Sequence, residues 1–198
     1  MKFTPQQVQQ IIDLIEPIFD QVLAEYSFEK YPAQNYASFQ SAFSQGTATN
    51  TDIQQAMAWK WGHWGKPDYP QHHKNLITEI QALWPAYLNL QRPVPRQTFD
   101  WWKEKLARKT TYITEAYITH LVHHAAPLPI IDQHNFRAMN HLLAHVNRDH
   151  RAKKKPSNWT DIENLKCFMS TLVAALPNRS FSELDKFLMM FGRNHVPR

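Results

Sequence analysis

The chain has 198 residues, 43% of them hydrophobic, with seven tryptophans and only four glycines, so it is long enough for a sizeable core and too apolar to stay disordered. The single cysteine, Cys167, excludes an intramolecular disulfide framework, a cysteine-rich zinc site and a cysteine-ligated iron-sulfur cluster, and no apolar run approaches the roughly 18 residues needed to span a bilayer. A net charge of +5, with eleven histidines able to add to it, suits an anionic partner such as nucleic acid, while the lack of a signal-like N-terminus and of a membrane span reads as a cytoplasmic protein.

From the N-terminus, Thr4 and Pro5 read as N-cap and first helical residue, and Val8, Ile11, Ile12, Ile15, Ile18, Phe19, Val22 and Leu23 recur at a helical period with Pro17 bending the run. The aromatic-rich stretch 26–44 predicts a turn and a second short helix. A third helix opens at Thr51 and Asp52, runs through Met57, Trp59 and Trp61, and is stopped by Gly62, Gly65 and Pro67. Its last turn alternates indoles with cations, a pattern that either packs a core edge or stacks on bases. A fourth helix is expected over 72–83, with Pro85, Pro93 and Pro95 enforcing an extended connection behind it. Helical periodicity resumes over 98–108. Residues 111–125 are apolar on most of their circumference, the mark of a buried central helix.

Behind that helix, Leu128-Pro129-Ile130-Ile131 ends abruptly at Asp132, where an N-cap is expected and where the side chain can accept the first free backbone amides at a positive helix end. The helix that follows places Phe136, Met139, Leu142, Leu143 and Val146 on a buried stripe and His134, Arg137, His141, His145 and Arg148 on a polar, cationic face. Residues 151–158, with Arg151, Lys153, Lys154 and Lys155, form a basic loop. Two more amphipathic helices follow, one from Trp159 to Leu176 and a last one from a Ser180 cap to a stop at Gly192. No strand alternation or internal repeat interrupts this, so the chain reads as all-α. It is read as one compact multi-helix domain, with helices of 1–95 packing on those of 96–198.

Metal and nucleophilic chemistry find little support. His120 with His124, and His141 with His145, are helical neighbours, yet no glutamate lies between either pair and the pairs are assigned to different faces, so no metal site is expected. Cys167 occupies a small core position, and no Gly-x-Ser-x-Gly elbow exists. No GxGxxG or GxxxxGK[ST] loop occurs either, and no cofactor is expected.

The order of buried helix, Pro-containing apolar link, Asp-x-His and amphipathic helix resembles the helix-hairpin-helix DNA glycosylase superfamily. Leu128-Pro129-Ile130-Ile131-Asp132-Gln133-His134-Asn135-Phe136-Arg137 is similar to its Pro-(x)-Val-Asp-x-His-(x)-x-Arg segment, and Phe181 to Gly192 looks like its closing helix. The resemblance implies a compact all-α fold, a DNA partner, and Asp132 as the catalytic carboxylate that stabilises positive charge on the sugar as an N-glycosidic bond breaks. It further implies DNA contacts from Lys109, His134, Arg137, Lys153, Lys154 and Lys155, and a pocket for a flipped base lined by Tyr117, Trp59 and Trp61. Thr114 stands where bifunctional members carry a Schiff-base lysine, which implies a monofunctional glycosylase without lyase activity. The family hairpin is usually Leu-Pro-Gly-x-Gly, whereas 108–113 here contains no glycine to let backbone amides approach a phosphate. The alternative is a non-catalytic relative that binds nucleic acid or a protein partner on the same scaffold. Oligomeric state is not legible.

Overall fold

The structure is a computed structural model that describes residues 3–90, 93–106 and 111–197. In chain order its helices are α1 (Pro5–Ile15), a 3-10 turn (Glu16–Ile18), α2 (Phe19–Leu23), α3 (Ala33–Ser44), α4 (Asn50–Lys60), α5 (Gln71–Leu88), α6 (Pro95–Leu106), α7 (Tyr112–Val122), α8 (Gln133–Val146), α9 (Trp159–Ala175) and α10 (Phe181–Asn194). No strand occurs among the described residues, and none of their helices is long and apolar enough to cross a membrane. The chain divides into two compact units, one made of 1–26 together with 127–198 and the other of 27–126. The boundary drawn from sequence between 95 and 96 therefore falls inside the second unit, where α5 packs against α6 across the proline-rich link.

The first unit joins both ends of the chain. Thr4 caps α1 in a reciprocal capping box with Gln7, and the 3-10 turn at Pro17 replaces the expected bend because the ring cannot donate the helical bond. Phe19 of α2 stacks on Phe187 of α10 with centroids 4.5 Å apart, and Arg179 makes a two-pronged bond to Asp20 at 2.7 and 2.9 Å while lying over the Phe19 ring. Asn158 and Ser180 cap α9 and α10 with Asp161 and Glu183 as reciprocal partners. Helix α10 does not stop at Gly192 but runs to Asn194 with Gly192 buried inside it. The glycine serves a helix crossing: a Cβ there would lie 1.9 Å from the carbonyl oxygen of His134 on α8.

The second unit is built on α7, in which Thr114 through Leu121 are all buried, as its apolar circumference predicts. Two boundaries differ from expectation. The N-cap of α4 is Thr49, with Asp52 closing the capping box, and Trp61 falls at the C-cap. Helix α5 runs straight through Pro85 to Leu88, because Trp84 and Tyr87 on either side of the proline are buried and their burial outweighs a cost of about 3 kcal/mol for a mid-helix proline. Gly62 and Gly65, with φ of 68° and 70°, turn the chain between α4 and α5 in a conformation that side chains disfavour.

Candidate functional site

Asp132 is the N-cap of α8. Its backbone is extended, and its Oδ1 accepts the amides of His134 at 2.6 Å and Asn135 at 3.0 Å. Asn135 returns the bond by accepting the Asp132 amide at 2.9 Å on its side-chain oxygen, while its Nδ2 donates to Ile130 O and to Asp185 Oδ1 of α10, each at 3.0 Å. The half-buried carboxylate is thus fixed from two directions, by the first turn of its own helix and by a neighbour tied to a second helix.

His134 and Arg137 are half-buried and face α10 instead of forming an open cationic surface. The Arg137 guanidinium donates to the carbonyl of Gly192 through both Nε, at 2.9 Å, and an Nη, and the same Nη contacts His134 Nδ1 at 3.1 Å. These side chains reach α10 because Gly192 removes the bulk that would otherwise hold the helices apart. His141 packs its ring against Phe191, and burial together with neighbouring His145 lowers its pKa.

Arg151, Lys153, Lys154 and Lys155 of the basic loop are all exposed, and Lys153 donates to Asp161 and Ser157. Lys109 lies outside the described residues.

Trp59 and Tyr117 are brought together in the second unit, their rings parallel within 8° and 6.1 Å apart. Tyr36 stacks on Trp59 at 4.9 Å, and His120 is parallel to both Tyr36 and Tyr117, with its Nε2 against the Tyr36 hydroxyl. Trp59 is 5% exposed and Tyr117 only 1%, and Lys60 lies over the Tyr117 ring. Four near-parallel rings, with an ammonium over the Tyr117 face, form an aromatic stack buried at Trp59, Tyr117 and His120. Trp61 belongs to a separate cluster. It stacks on His73 at 4.1 Å, and His73 Nδ1 is hydrogen-bonded to His63 Nε2 at 2.8 Å. Burial, then the adjacent His72 and His63, depress the His73 pKa to about 4, so this imidazole is neutral at ordinary pH.

Sequence reasoning gave Asn135, Asp185 and Tyr36 no role, read Gly192 only as a helix stop and read His120 only as a helical neighbour of His124. Asn135 carried a usable signal, since a polar amide at the third helical position after an Asp cap suits a capping box. The others gain their roles from partners on distant helices. Among the described residues no group of three or more His, Cys, Asp or Glu is placed to hold a metal ion. The chain matches no protein-family model, no curated protein and no solved structure.

Proposed function

We propose that the protein binds DNA and hydrolyses the N-glycosidic bond of a modified base, with Asp132 as the catalytic carboxylate. The observation that carries this reading is the anchoring of Asp132 by two backbone amides and by Asn135, itself tied to Asp185. Breaking an N-glycosidic bond places positive charge on the sugar, and a carboxylate held in advance stabilises that charge without reorganising as it forms. The same oxygen pair orients the water that completes the hydrolysis. Thr114 carries a hydroxyl where a Schiff-base chemistry requires an amine, so the reaction ends at hydrolysis with no strand cleavage.

Asp132→Asn is a clean test because asparagine is as good an N-cap as aspartate, so the helix start survives while the charge is removed. Expected is an unchanged melting temperature with base release slowed on the order of 10²- to 10³-fold, measured on duplexes each carrying one alkylated, deaminated or oxidised base. Base release that is undetectable with the unmodified protein, or equal in the variant, rejects the catalytic reading.

A second reading, a DNA-binding protein without catalysis, is favoured by the use of Asp132 as a cap and of Arg137 as a clamp on Gly192. It expects salt-dependent DNA affinity that Asp132→Asn leaves intact, with no base released by either form.

A further inference from the structure

In the second unit α3 supplies Tyr36 and Gln40, one turn apart on the same side of the helix, and α7 supplies His120. The side-chain Nε2 of Gln40 donates to the Tyr36 hydroxyl oxygen at 3.0 Å. An amide nitrogen can only donate, so the phenolic proton is left for His120 Nε2, which accepts it. The Tyr36 and His120 rings are within 17° of parallel with their centroids 5.9 Å apart, so they meet edge to edge, hydroxyl to nitrogen, and not face to face. His120 is 7% exposed and Tyr36 is half-buried, which shields the base from solvent while the phenol lies nearer the surface.

We infer that Tyr36 and His120 form a proton-coupled redox site, at which Tyr36 gives one electron to an outer-sphere one-electron oxidant, such as an oxidised metal complex, and its phenolic proton to His120. The electron leaves the Tyr36 ring and reduces the oxidant by one. The O–H bond breaks, its proton forms an N–H bond at His120 Nε2, and the products are a neutral phenoxyl radical and an imidazolium. Reduction by an outer-sphere electron donor reverses both moves. At rest the proton stays on oxygen, because imidazolium is a stronger acid than a phenol. A phenol stripped of an electron is the stronger acid of the two, and a base already hydrogen-bonded to it takes the proton without reorganising.

The neighbouring rings direct the oxidation to this pair. Trp59 stacks on Tyr36 at 4.9 Å and Tyr117 on Trp59 at 6.1 Å, so the three side chains exchange electrons across ring contacts. The Trp59 N–H donates to Pro32 O at 3.3 Å, and a backbone carbonyl is too weak a base to take the proton of an oxidised indole. The Lys60 ammonium over the Tyr117 ring opposes positive charge there. At Tyr36 the imidazole draws the proton off, the ring is left neutral, and the oxidation settles. The same geometry disfavours a covalent role for Tyr36, whose oxygen is already engaged by Gln40 and His120, whereas electron transfer needs no substrate against it.

The test is flash photo-oxidation of the whole chain by a ruthenium polypyridyl complex with a sacrificial electron acceptor, read by transient absorption and electron paramagnetic resonance. Expected is a phenoxyl radical that forms more slowly in heavy water and at a rate independent of phosphate buffer concentration. Tyr36→Phe is expected to lose most of that signal and to show a tryptophanyl radical in its place, with little change in melting. His120→Gln keeps a hydrogen-bond acceptor but not a base, and is expected to slow phenoxyl formation on the order of 10²-fold. A phenoxyl yield unchanged by Tyr36→Phe overturns the site, and absence of the tryptophanyl signal in that variant overturns Trp59 as the route to it. Equal rates in light and heavy water, or a rate that climbs with phosphate, overturn His120 as the proton acceptor whether or not His120→Gln folds. Phenoxyl formation as fast in a folded His120→Gln as in the unmodified protein overturns it too. None of these outcomes bears on Asp132, since the readout involves neither DNA nor base release.

Discussion

Around α8 the first unit is joined by bonds that have direction: the Asp132 cap, the Asn135 bond to Asp185, the Arg137 clamp on Gly192 and the close crossing of two backbones. In the second unit, by contrast, rings lie on rings, with Trp59, Tyr36, Tyr117 and His120 beside α7 and Trp84, Tyr87 and Trp102 between α5 and α6. The polar arrangement fixes position to fractions of an ångström, because hydrogen bonds weaken steeply with angle and distance. The aromatic arrangement is stabilised mainly by area removed from water, which tolerates small shifts of one ring on another. The carboxylate proposed to meet a developing charge, Asp132, lies in the first setting.

The difference is open to direct attack, and the largest effect is expected at Trp102. This side chain is fully buried, and its indole N–H has no hydrogen-bond partner among the described residues. Trp102→Ala removes the packed area and leaves a cavity, for an expected loss of about 4 kcal/mol in chemical denaturation. Trp102→Phe keeps most of the area and discards the unpaired N–H, so its expected loss is below about 1 kcal/mol. Equal losses in the two variants would mean that direction, not area, governs this cluster.

In the first unit one added methyl group is expected to cost nearly as much as that missing indole. Gly192→Ala puts a Cβ 1.9 Å from His134 O and 3.2 Å from the Ala138 side chain, and a backbone oxygen cannot swing aside. The expected loss is about 3 kcal/mol, with the helices forced apart and the Arg137 bonds to the Gly192 carbonyl stretched. A variant as stable as the original protein would show that the α8–α10 crossing is adjustable and that Asp132 is not held by it.

The contrast between Trp102 and Gly192 also marks what could be read from the chain. Local features were legible: the Thr4 and Ser180 caps, the Asp132 cap, the buried circumference of α7 and the helical periods all depend on residues within a few positions of one another. Asp132 as a fixed carboxylate was legible for the same reason. Gly192 and Pro85 were misread because a glycine or proline reports only what the backbone is allowed to do locally. What it does is decided by the neighbours, here His134 for the one and the buried Trp84 and Tyr87 for the other. The polar face assigned to His134 and Arg137 was misplaced by the same logic, since a helical wheel gives their side of α8 but not that α10 covers it. Trp59 and Tyr117 were singled out together, while Tyr36, which stacks on Trp59, was not, and His120, which stacks on Tyr117, was read only as a helical neighbour of His124.

Glu115 is where the second unit departs from ring-on-ring packing, and it gives the smallest expected effect. The residue is 2% exposed on α7, and its Oε1 accepts the Thr111 hydroxyl at 2.6 Å. Burial raises its pKa, and the Thr111 bond and the charge of Lys103 offset the rise only in part. Below the ordinary glutamate range the carboxyl is protonated in the folded and unfolded chain alike, and its folded contribution is fully present. As pH rises the unfolded chain releases the proton first, so the unfolded state binds fewer protons and stability declines until the folded pKa is passed. Glu115→Gln cannot ionise and can still accept the Thr111 hydroxyl on its amide oxygen. Denaturation midpoints taken from pH 4 to pH 8 are therefore expected to fall less steeply in the variant, which gains on the original protein as pH rises. A gap between the two proteins that stays constant over that range would mean that Glu115 is ionised in the folded state and that its bond to Thr111 supports a charge.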